Sequence, residues 1–309
     1  MKKILASPSS IGQISTTPLD LLKNAGYEVV VNPYGRKLTD SEVIDLGKDC
    51  VGIVAGVENL DSSVIKKLPK LKCISRVGVG MDNIDIPFAE SQGIKIHNTP
   101  NGPTRAVAEL TLGLTLSLLR KIPLAHYNIK NGIWKKETGS LLLEKKVGII
   151  GLGRIGRLTA ELFRSLGNPV CGFDIFPDQN WANKNDIELL NLESLLKCSD
   201  IITIHVPGVA HGKPIITDEE IKLLKTGALV INVSRGGVVD EHALHLALKS
   251  GKISGAALDV FEKEPYEGDF QLLDNVILTP HIGSYAKEGK LQMEIDAVKN
   301  LIKSLSNLS

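Results

Sequence analysis

Short apolar runs alternate with helical patterns along the chain, beginning in the first hundred residues. Five runs have the length of strands, namely Ile4–Ala6, Val29–Val31, Gly52–Val54, Cys73–Ser75 and Ile94–Ile96. Thr39 and Glu42 have the spacing of a capping box at the start of one intervening helix. Strands that alternate with helices form parallel sheets covered on both faces, so the pattern predicts an α/β domain.

A second alternating series follows a dense cluster of turn-forming residues at 98–103 and a long apolar helix pattern from Thr104 to about Leu119. Its six apolar runs are Val147–Ile150, Val170–Phe173, Ile201–Ile204, Ala228–Ile231, Ala256–Leu258 and Val276–Leu278. Six strands joined by crossover helices predict a doubly wound dinucleotide fold. The crossing between the two domains is predicted at the turn-forming cluster.

The tail after Ser284 has a helical pattern, with Leu291, Ile295, Val298 and Ile302 on one face. Such a helix either caps the second domain or crosses back to the first. Spacing alone is compatible with both arrangements.

Length and charge agree with two domains and a small partner. The 309 residues exceed a typical single domain of roughly 100–200 residues, so a cleft between two domains is the default expectation. The formal net charge is +1, from 36 basic and 35 acidic side chains. This balance gives no excess field that would attract nucleic acid or an anionic membrane.

The four cysteines, Cys50, Cys73, Cys171 and Cys198, show no CxxC pairing. Buried free thiols in a reducing compartment fit them best, whereas disulfides or a metal site are the weaker alternatives. The basic amino-terminal segment has too short an apolar stretch for a signal peptide, and no segment reaches membrane-spanning length. We therefore predict a cytoplasmic protein without a metal.

The glycines that follow the first strand of the second series carry the candidate cofactor site. Gly151 permits a tight turn, Gly153 lets the backbone approach a diphosphate, and Gly156 lets the helix pack on the strand. Asp174 ends the next strand, about 18 residues beyond Gly156, where an acid meets the ribose hydroxyls of NAD and repels the extra phosphate of NADP. A purely structural turn and an ordinary polar strand end are the alternatives.

Polar side chains follow three later strands of the same series, in the stretches 232–237, 258–265 and 279–283. Each stretch lies at the carboxyl edge of the predicted sheet, where doubly wound folds bind ligands. Together they offer a cation at Arg235, an acid at Glu264 and an imidazole at His281. Taken singly, the arginine would be read as a solvated loop residue and the histidine as a structural one.

These stretches, the glycine turn and the segment 76–85, which reads Arg-Val-Gly-Val-Gly-Met-Asp-Asn-Ile-Asp, resemble the D-isomer-specific 2-hydroxyacid dehydrogenase family. The resemblance covers nearly the whole chain and is strongest to the phosphoglycerate dehydrogenase branch. It implies a Rossmann-type NAD domain at 99–285. It also implies a smaller flavodoxin-like α/β substrate domain formed from both termini, at 1–98 and 286–309, and a homodimer.

The resemblance also assigns roles to the three polar side chains. Arg235 would bind the substrate carboxylate and carbonyl oxygen, His281 would donate and accept the proton, and Glu264 would hold the imidazole. Hydride transfer to a keto carbon builds negative charge on oxygen, which a guanidinium stabilises and an imidazolium protonates. The acid at Glu264 favours turnover with proton exchange.

Further contacts are implied by position. For the cofactor they are Asp259 and Val233 at the nicotinamide amide, Arg154 and Ile155 at the diphosphate, His205, Val206 and Pro207 near the adenosine, and Val79, Ser234, Gly283 and Ser284. For the substrate they are Arg76 and the N–H groups of Val77 and Gly78, in a glycine-rich loop suited to a carboxylate or phosphate. The alternative for Asp259 is a strand-end cap, and for the loop a tight turn.

The sequence leaves the substrate open. D-3-phosphoglycerate is one candidate, and hydroxypyruvate, glyoxylate or another 2-keto acid is the alternative. Ala55–Glu58 stands where phosphoglycerate members often carry an arginine, the segment 205–214 departs from the usual loop, and no regulatory domain is expected after Ser309. Arg36 is either a substitute anion contact or a surface arginine. An NAD(H)-sensing regulatory dimer is the alternative of a different class.

Overall fold

The computed structural model describes residues 1–208 and 213–307. The chain divides into two compact units, one formed by residues 1–103 with 284–309 and the other by residues 104–283. The divisions expected from the sequence, at 98/99 and 285/286, lie a few residues away. Residues 209–212, which belong to the segment 205–214 discussed above, lie outside the described residues.

The first unit is built on a five-stranded parallel sheet in the order β2-β1-β3-β4-β5. The strands are β1 (Lys3–Ala6), β2 (Glu28–Val31), β3 (Cys50–Ala55), β4 (Cys73–Arg76) and β5 (Lys95–His97). The helices are α1 (Thr17–Asn24), α2 (Asp40–Gly47), α3 (Ser62–Ile65), α4 (Ile86–Ser91) and, from the tail, α12 (Lys287–Ser306). The parallel sheet confirms the α/β domain predicted from the pattern, and its strand order is the flavodoxin-like one that the family resemblance implied.

Local sequence explains where these helices begin and why the tail returns. Thr39 and Glu42 form the predicted capping box at the start of α2. Helix α12 packs on β3 and β4 and buries Ala297, Val298 and Leu301 completely. The tail helix therefore crosses back to the first unit, which decides between the two arrangements that its spacing allowed.

The second unit contains a seven-stranded parallel sheet in the order β12-β11-β10-β9-β6-β7-β8. Its strands are β6 (Val147–Ile150), β7 (Val170–Phe173), β8 (Glu188–Leu189), β9 (Ile201–Ile204), β10 (Ala228–Asn232), β11 (Ile253–Leu258) and β12 (Val276–Leu278). Its helices are α5 (Pro103–Leu119), α6 (Ile122–Lys130), α7 (Arg154–Ser165), α8 (Gln179–Lys184), α9 (Leu192–Cys198), α10 (Asp218–Leu223) and α11 (Glu241–Ser250), with a 3-10 helix at Asp269–Leu272. Six of the strands were predicted, and β8 is additional.

The sheet of the second unit reverses its strand order at β6, as a Rossmann-type fold does. Every residue of β6, β9 and β10 is buried, because helices cover both faces. This burial explains why these strands read as unbroken apolar runs. Since all strands of the sheet are parallel, the loops that leave them meet at one edge, and the crevice beside β6 is where such folds bind ligands.

No helix within residues 1–208 and 213–307 is both long and apolar enough to span a membrane. All four cysteines are free thiols; Cys50, Cys73 and Cys171 are buried and Cys198 is half-buried.

Candidate active site

The glycine turn between β6 and α7 is tightly packed against the protein at Gly151 and Gly156, and it has open space beside Gly153. Gly151 has a φ of +94°, and a Cβ there would lie 2.5 Å from the carbonyl oxygen of His205. A Cβ at Gly156 would lie 1.8 Å from the carbonyl oxygen of Gly151. A Cβ at Gly153, by contrast, would have no atom within 4 Å. The open side therefore fits a diphosphate that approaches the backbone at the N-terminus of α7.

Asp174 lies directly beside this turn, at the end of β7. One of its carboxylate oxygens accepts a hydrogen bond from the Leu152 N–H at 2.7 Å, and the other accepts one from the Phe176 N–H at 2.8 Å. Each oxygen keeps a lone pair for a further donor. The structure therefore places the Asp174 carboxylate next to the glycine turn, and its contact with ribose hydroxyls stays a prediction. Arg154 is exposed and Ile155 half-buried in the first turn of α7.

The residues that follow β9 form an uncharged side of the crevice beside β6. The N–H of His205 donates to the carbonyl oxygen of Ile150 at 2.7 Å, and its Nε2 lies 2.9 Å from the Thr203 hydroxyl. Burial lowers the pKa of the His205 imidazole to about 3, so the ring is uncharged at neutral pH. Val206 is half-buried and Pro207 exposed. An uncharged imidazole with apolar neighbours suits an adenine better than a phosphate.

The loop after β10 holds Arg235 through a buried asparagine. The Asn232 side chain accepts hydrogen bonds from the Ser234 N–H at 3.1 Å and hydroxyl at 2.8 Å, and it donates to the carbonyl oxygen of Arg235 at 3.0 Å. Arg235 donates from Nη1 to the carbonyl oxygen of Ser234 at 2.7 Å. Val233 and Ser234 are each 7% exposed. The guanidinium is thus attached to a rigid loop at the carboxyl edge.

His281 and Glu264 are brought together at the neighbouring strand ends. Nδ1 of His281 lies 2.9 Å from Oε2 of Glu264, and Oε1 of the same carboxylate accepts the Phe261 N–H at 3.2 Å. The His281 side chain is 49% exposed, so its other ring nitrogen is available to a ligand. This arrangement fixes the imidazole by one nitrogen and leaves the second for proton transfer.

Asp259 anchors the loop that carries His281. This aspartate is 1% exposed, and its carboxylate accepts hydrogen bonds from the Thr279 hydroxyl at 2.5 Å and from the N–H groups of Ile282 and Gly283 at 2.8 Å each. His281 lies between these donors with a φ of +54°, a left-handed conformation that a non-glycine residue rarely adopts. The aspartate therefore holds the backbone on both sides of the histidine.

The glycine-rich loop of the first unit is partly engaged with its own sheet. The N–H of Val77 donates to the carbonyl oxygen of Ala55 at 2.9 Å, and the N–H of Gly78 donates to the Thr99 hydroxyl at 2.7 Å. Arg76 donates from Nη1 to the carbonyl oxygen of Val77. Since the first two N–H groups have partners inside the unit, the substrate role assigned to Val77 and Gly78 remains a prediction.

Residues 112–283, most of the second unit, match the model of the D-isomer specific 2-hydroxyacid dehydrogenase NAD binding domain. The chain belongs to the D-isomer specific 2-hydroxyacid dehydrogenase family. The D-3-phosphoglycerate dehydrogenase of Archaeoglobus fulgidus is 37% identical over 313 residues, which cover 100% of this chain and 58% of that relative. The chain spans about half the length of the curated relatives it matches.

Solved structures agree with the family. A protein of Thermus thermophilus has 31% identity and a TM-score of 0.91, with 99% of this chain and 97% of that one covered. A D-lactate dehydrogenase of Aquifex aeolicus, solved with NAD and lactic acid, has 28% identity and a TM-score of 0.84, with 99% and 96% covered. The second unit is therefore an NAD-binding domain, whereas the cofactor contacts of the glycine turn, Asp174 and His205 stay predictions.

One feature of the site was absent from the sequence prediction. Asp259 was expected at the nicotinamide amide or as a strand-end cap, but the hydrogen bonds to Ile282 and Gly283 span 23 and 24 residues and have no local signal.

No group of three or more His, Cys, Asp or Glu within residues 1–208 and 213–307 is arranged to hold a metal ion.

Proposed function

We propose that the chain is an NAD-dependent oxidoreductase that interconverts a D-2-hydroxy acid and its 2-keto acid. The observation that carries this proposal is the 2.9 Å contact between His281 Nδ1 and Glu264 Oε2 at the carboxyl edge of the NAD-binding domain. Arg235 leaves the same edge from β10, next to the strand that precedes Glu264. A cation and a positioned acid–base group beside a nicotinamide site are what reduction of a keto group requires.

The residues divide the work of the reaction. NAD supplies the hydride acceptor when oxidised and the hydride donor when reduced. Arg235 binds the substrate carboxylate and stabilises the negative charge that develops on the carbonyl oxygen. His281 donates a proton to that oxygen during reduction and takes it from the hydroxyl group during oxidation. Glu264 accepts the hydrogen bond from Nδ1, which orients the ring and leaves Nε2 for the substrate. Arg76 is the further candidate for a substrate contact in the first unit.

D-3-phosphoglycerate and its 2-keto acid are candidate substrates, because curated relatives at 37% and 42% identity carry the name D-3-phosphoglycerate dehydrogenase. Hydroxypyruvate, glyoxylate and other 2-keto acids are the alternative. The name of a relative favours the former candidate, whereas Arg36, the suggested substitute anion contact, forms an ion pair with Glu42 at 2.7 Å.

Steady-state oxidation of NADH with a panel of 2-keto acids tests the proposal. The panel comprises 3-phosphohydroxypyruvate, hydroxypyruvate, glyoxylate, pyruvate and branched-chain keto acids. We expect saturable turnover with at least one of them. Tight NADH binding without turnover of any 2-keto acid would contradict an enzymatic function and favour an NAD(H)-sensing regulatory dimer.

Asp174→Asn is expected to raise the ratio of kcat/KM for NADPH to that for NADH by about 10-fold, because it removes the charge that repels the extra ribose phosphate. The amide oxygen still accepts one of the two backbone hydrogen bonds. Asp178→Asn is the matched control: Asp178 caps α8 and pairs with Arg157 at 3.1 Å, and asparagine is an equally good cap. An unchanged ratio in the Asp174 variant would remove its role in cofactor choice.

A homodimer in the cytoplasm completes the proposal. The segment 122–143 of the NAD-binding domain exposes large apolar side chains that a partner subunit would cover, namely Ile122, Tyr127, Ile129, Ile133, Trp134, Leu141 and Leu143. Four free thiols are in keeping with a reducing compartment.

A further inference from the structure

Two thiol groups lie in contact inside the second unit. Sγ of Cys171, on β7, is 3.9 Å from Sγ of Cys198, the last residue of α9. The other two thiols, Cys50 and Cys73, belong to the first unit. Neither Cys171 nor Cys198 takes part in the chemistry proposed above.

The Ser199 hydroxyl group lies beside both sulfur atoms. Its Oγ is 3.5 Å from Sγ of Cys171 and 3.9 Å from Sγ of Cys198, and it donates to the carbonyl oxygen of Leu195 at 2.7 Å. This close packing depends on Gly148 of β6, because a Cβ there would lie 2.5 Å from Oγ of Ser199. The two sulfur atoms and the hydroxyl group therefore form one compact cluster between β6, β7 and the end of α9.

The two thiols differ in their access to solvent. Cys171 is fully buried, whereas Cys198 is half-buried. Burial raises the pKa of the Cys171 thiol to about 12, although the hydrogen bond with Ser199 and the charge of Lys146 lower it. Cys171 therefore stays protonated at neutral pH, and Cys198 is the thiol that a dissolved oxidant reaches first.

A cation lies next to the pair. The ammonium group of Lys146, the residue before β6, interacts with both thiols and is 2.7 Å from Oε2 of Glu188. The hydrogen bond to Glu188 raises the pKa of Lys146, so the amine stays charged. Positive charge beside a thiol favours the thiolate, which is the form that reacts with oxidants. Lys146 is 27% exposed, so water screens its charge only in part.

We propose that Cys171 and Cys198 form a redox-active pair that a hydroperoxide oxidises reversibly to a disulfide. A disulfide bond requires the two sulfur atoms to move roughly 2 Å closer, which rotation of the Cys198 side chain at the end of α9 can provide. The proposal does not depend on the proposed function. The pair lies in the amino-terminal half of the sheet, whereas the cofactor contacts are predicted at its carboxyl edge.

The reaction has two steps. The Cys198 thiolate attacks one oxygen of hydrogen peroxide; an S–O bond forms, the O–O bond breaks, and the leaving hydroxide takes the proton that the Cys198 thiol released. The sulfur of Cys171 then attacks the sulfenic sulfur of Cys198. An S–S bond forms, the S–O bond breaks, and hydroxide leaves with the Cys171 proton as a second water. The electron pair given up by the two thiols is gained by the peroxide, and exchange with dithiothreitol restores both thiols.

Mass spectrometry of the full chain after brief exposure to hydrogen peroxide tests the proposal. Under denaturing conditions without a reductant, the protein should be lighter by about 2 Da. Alkylation should then reach two of the four thiols, and dithiothreitol should restore the other two. Proteolysis should release a linked pair of peptides that contain Cys171 and Cys198.

Variants separate the roles of the two thiols. Cys171→Ser should stop at the sulfenic acid of Cys198, which dimedone traps, because the second thiol is missing. Cys198→Ser should form no disulfide. Cys50→Ala is the matched control, since Cys50 is also a buried thiol but lies in the first unit. This control should become lighter by about 2 Da, as the wild type does.

Lys146→Gln keeps the proposal testable if the cysteine variants fold poorly. Loss of the cation should slow disulfide formation by about 3-fold or more, whereas Lys145→Gln, which removes the same charge from the adjacent residue, should leave the rate unchanged. A wild type that keeps all four thiols, that first loses those of Cys50 or Cys73, or that gains oxygen without linking Cys171 to Cys198 would overturn the proposal. An unchanged rate in Lys146→Gln would overturn the part assigned to the cation.

Discussion

His281→Ala is expected to lower turnover by a factor of about 10²–10⁴ while NADH binding stays largely intact. The imidazole is held by Glu264 through Nδ1 at 2.9 Å, on a loop whose backbone is anchored to Asp259. Alanine removes the proton donor, but it leaves the glycine turn and Asp174 unchanged. Chemistry and cofactor binding should therefore separate in this variant.

Single-turnover reduction at saturating NADH measures the chemical step, and NADH fluorescence titration measures binding. His242→Ala is the matched control, because His242 is an exposed residue on α11 of the same unit, where truncation should change neither quantity. Near-normal rates in His281→Ala would remove this histidine from its role. A loss of NADH affinity equal to the loss of rate would make its contribution one of binding.

The sequence predicted most of the fold because the buried strands consist of consecutive apolar residues. Val147–Ile150 and Ile201–Ile204 are buried throughout and read as continuous apolar runs. Strand β8 escaped prediction because it has two residues, one of which, Glu188, is exposed. Strand β8 forms because it pairs with β7 at the edge of the sheet. The sequence of β8 itself has no pattern that predicts this pairing.

The candidate site was predictable in its composition but not in its hydrogen bonds. Because parallel strands end at one edge, Arg235, Glu264 and His281 were expected near one another from strand order alone. The left-handed backbone of His281 is flanked by hydrogen bonds to Asp259, whose partners Thr279, Ile282 and Gly283 lie 20 to 24 residues away in sequence. Arg36 was ambiguous from the sequence because only the folded chain shows that its guanidinium donates hydrogen bonds to both carboxylate oxygens of Glu42.

The second and third glycines of the cofactor turn, Gly153 and Gly156, should fail in different ways when replaced by alanine. At Gly156 the new methyl group would lie 1.8 Å from the carbonyl oxygen of Gly151, and backbone atoms at the junction of β6 and α7 cannot move aside without breaking the turn. We expect Gly156→Ala to lower the free energy of unfolding by about 3 kcal/mol or more, even without a cofactor.

At Gly153 the methyl group would meet nothing within 4 Å, and a φ of −71° is open to any residue. Gly153→Ala should therefore cost about 1 kcal/mol of stability, the usual effect of alanine at an N-cap. The methyl group fills the space through which a diphosphate reaches the helix N-terminus, so we expect NADH affinity to fall by about 100-fold. Urea unfolding of the cofactor-free protein and NADH titration report the two quantities independently.

If Gly153→Ala bound NADH normally, the open side of the turn would not be where the diphosphate lies. If Gly156→Ala were fully stable, helix α7 would not need its close approach to the turn.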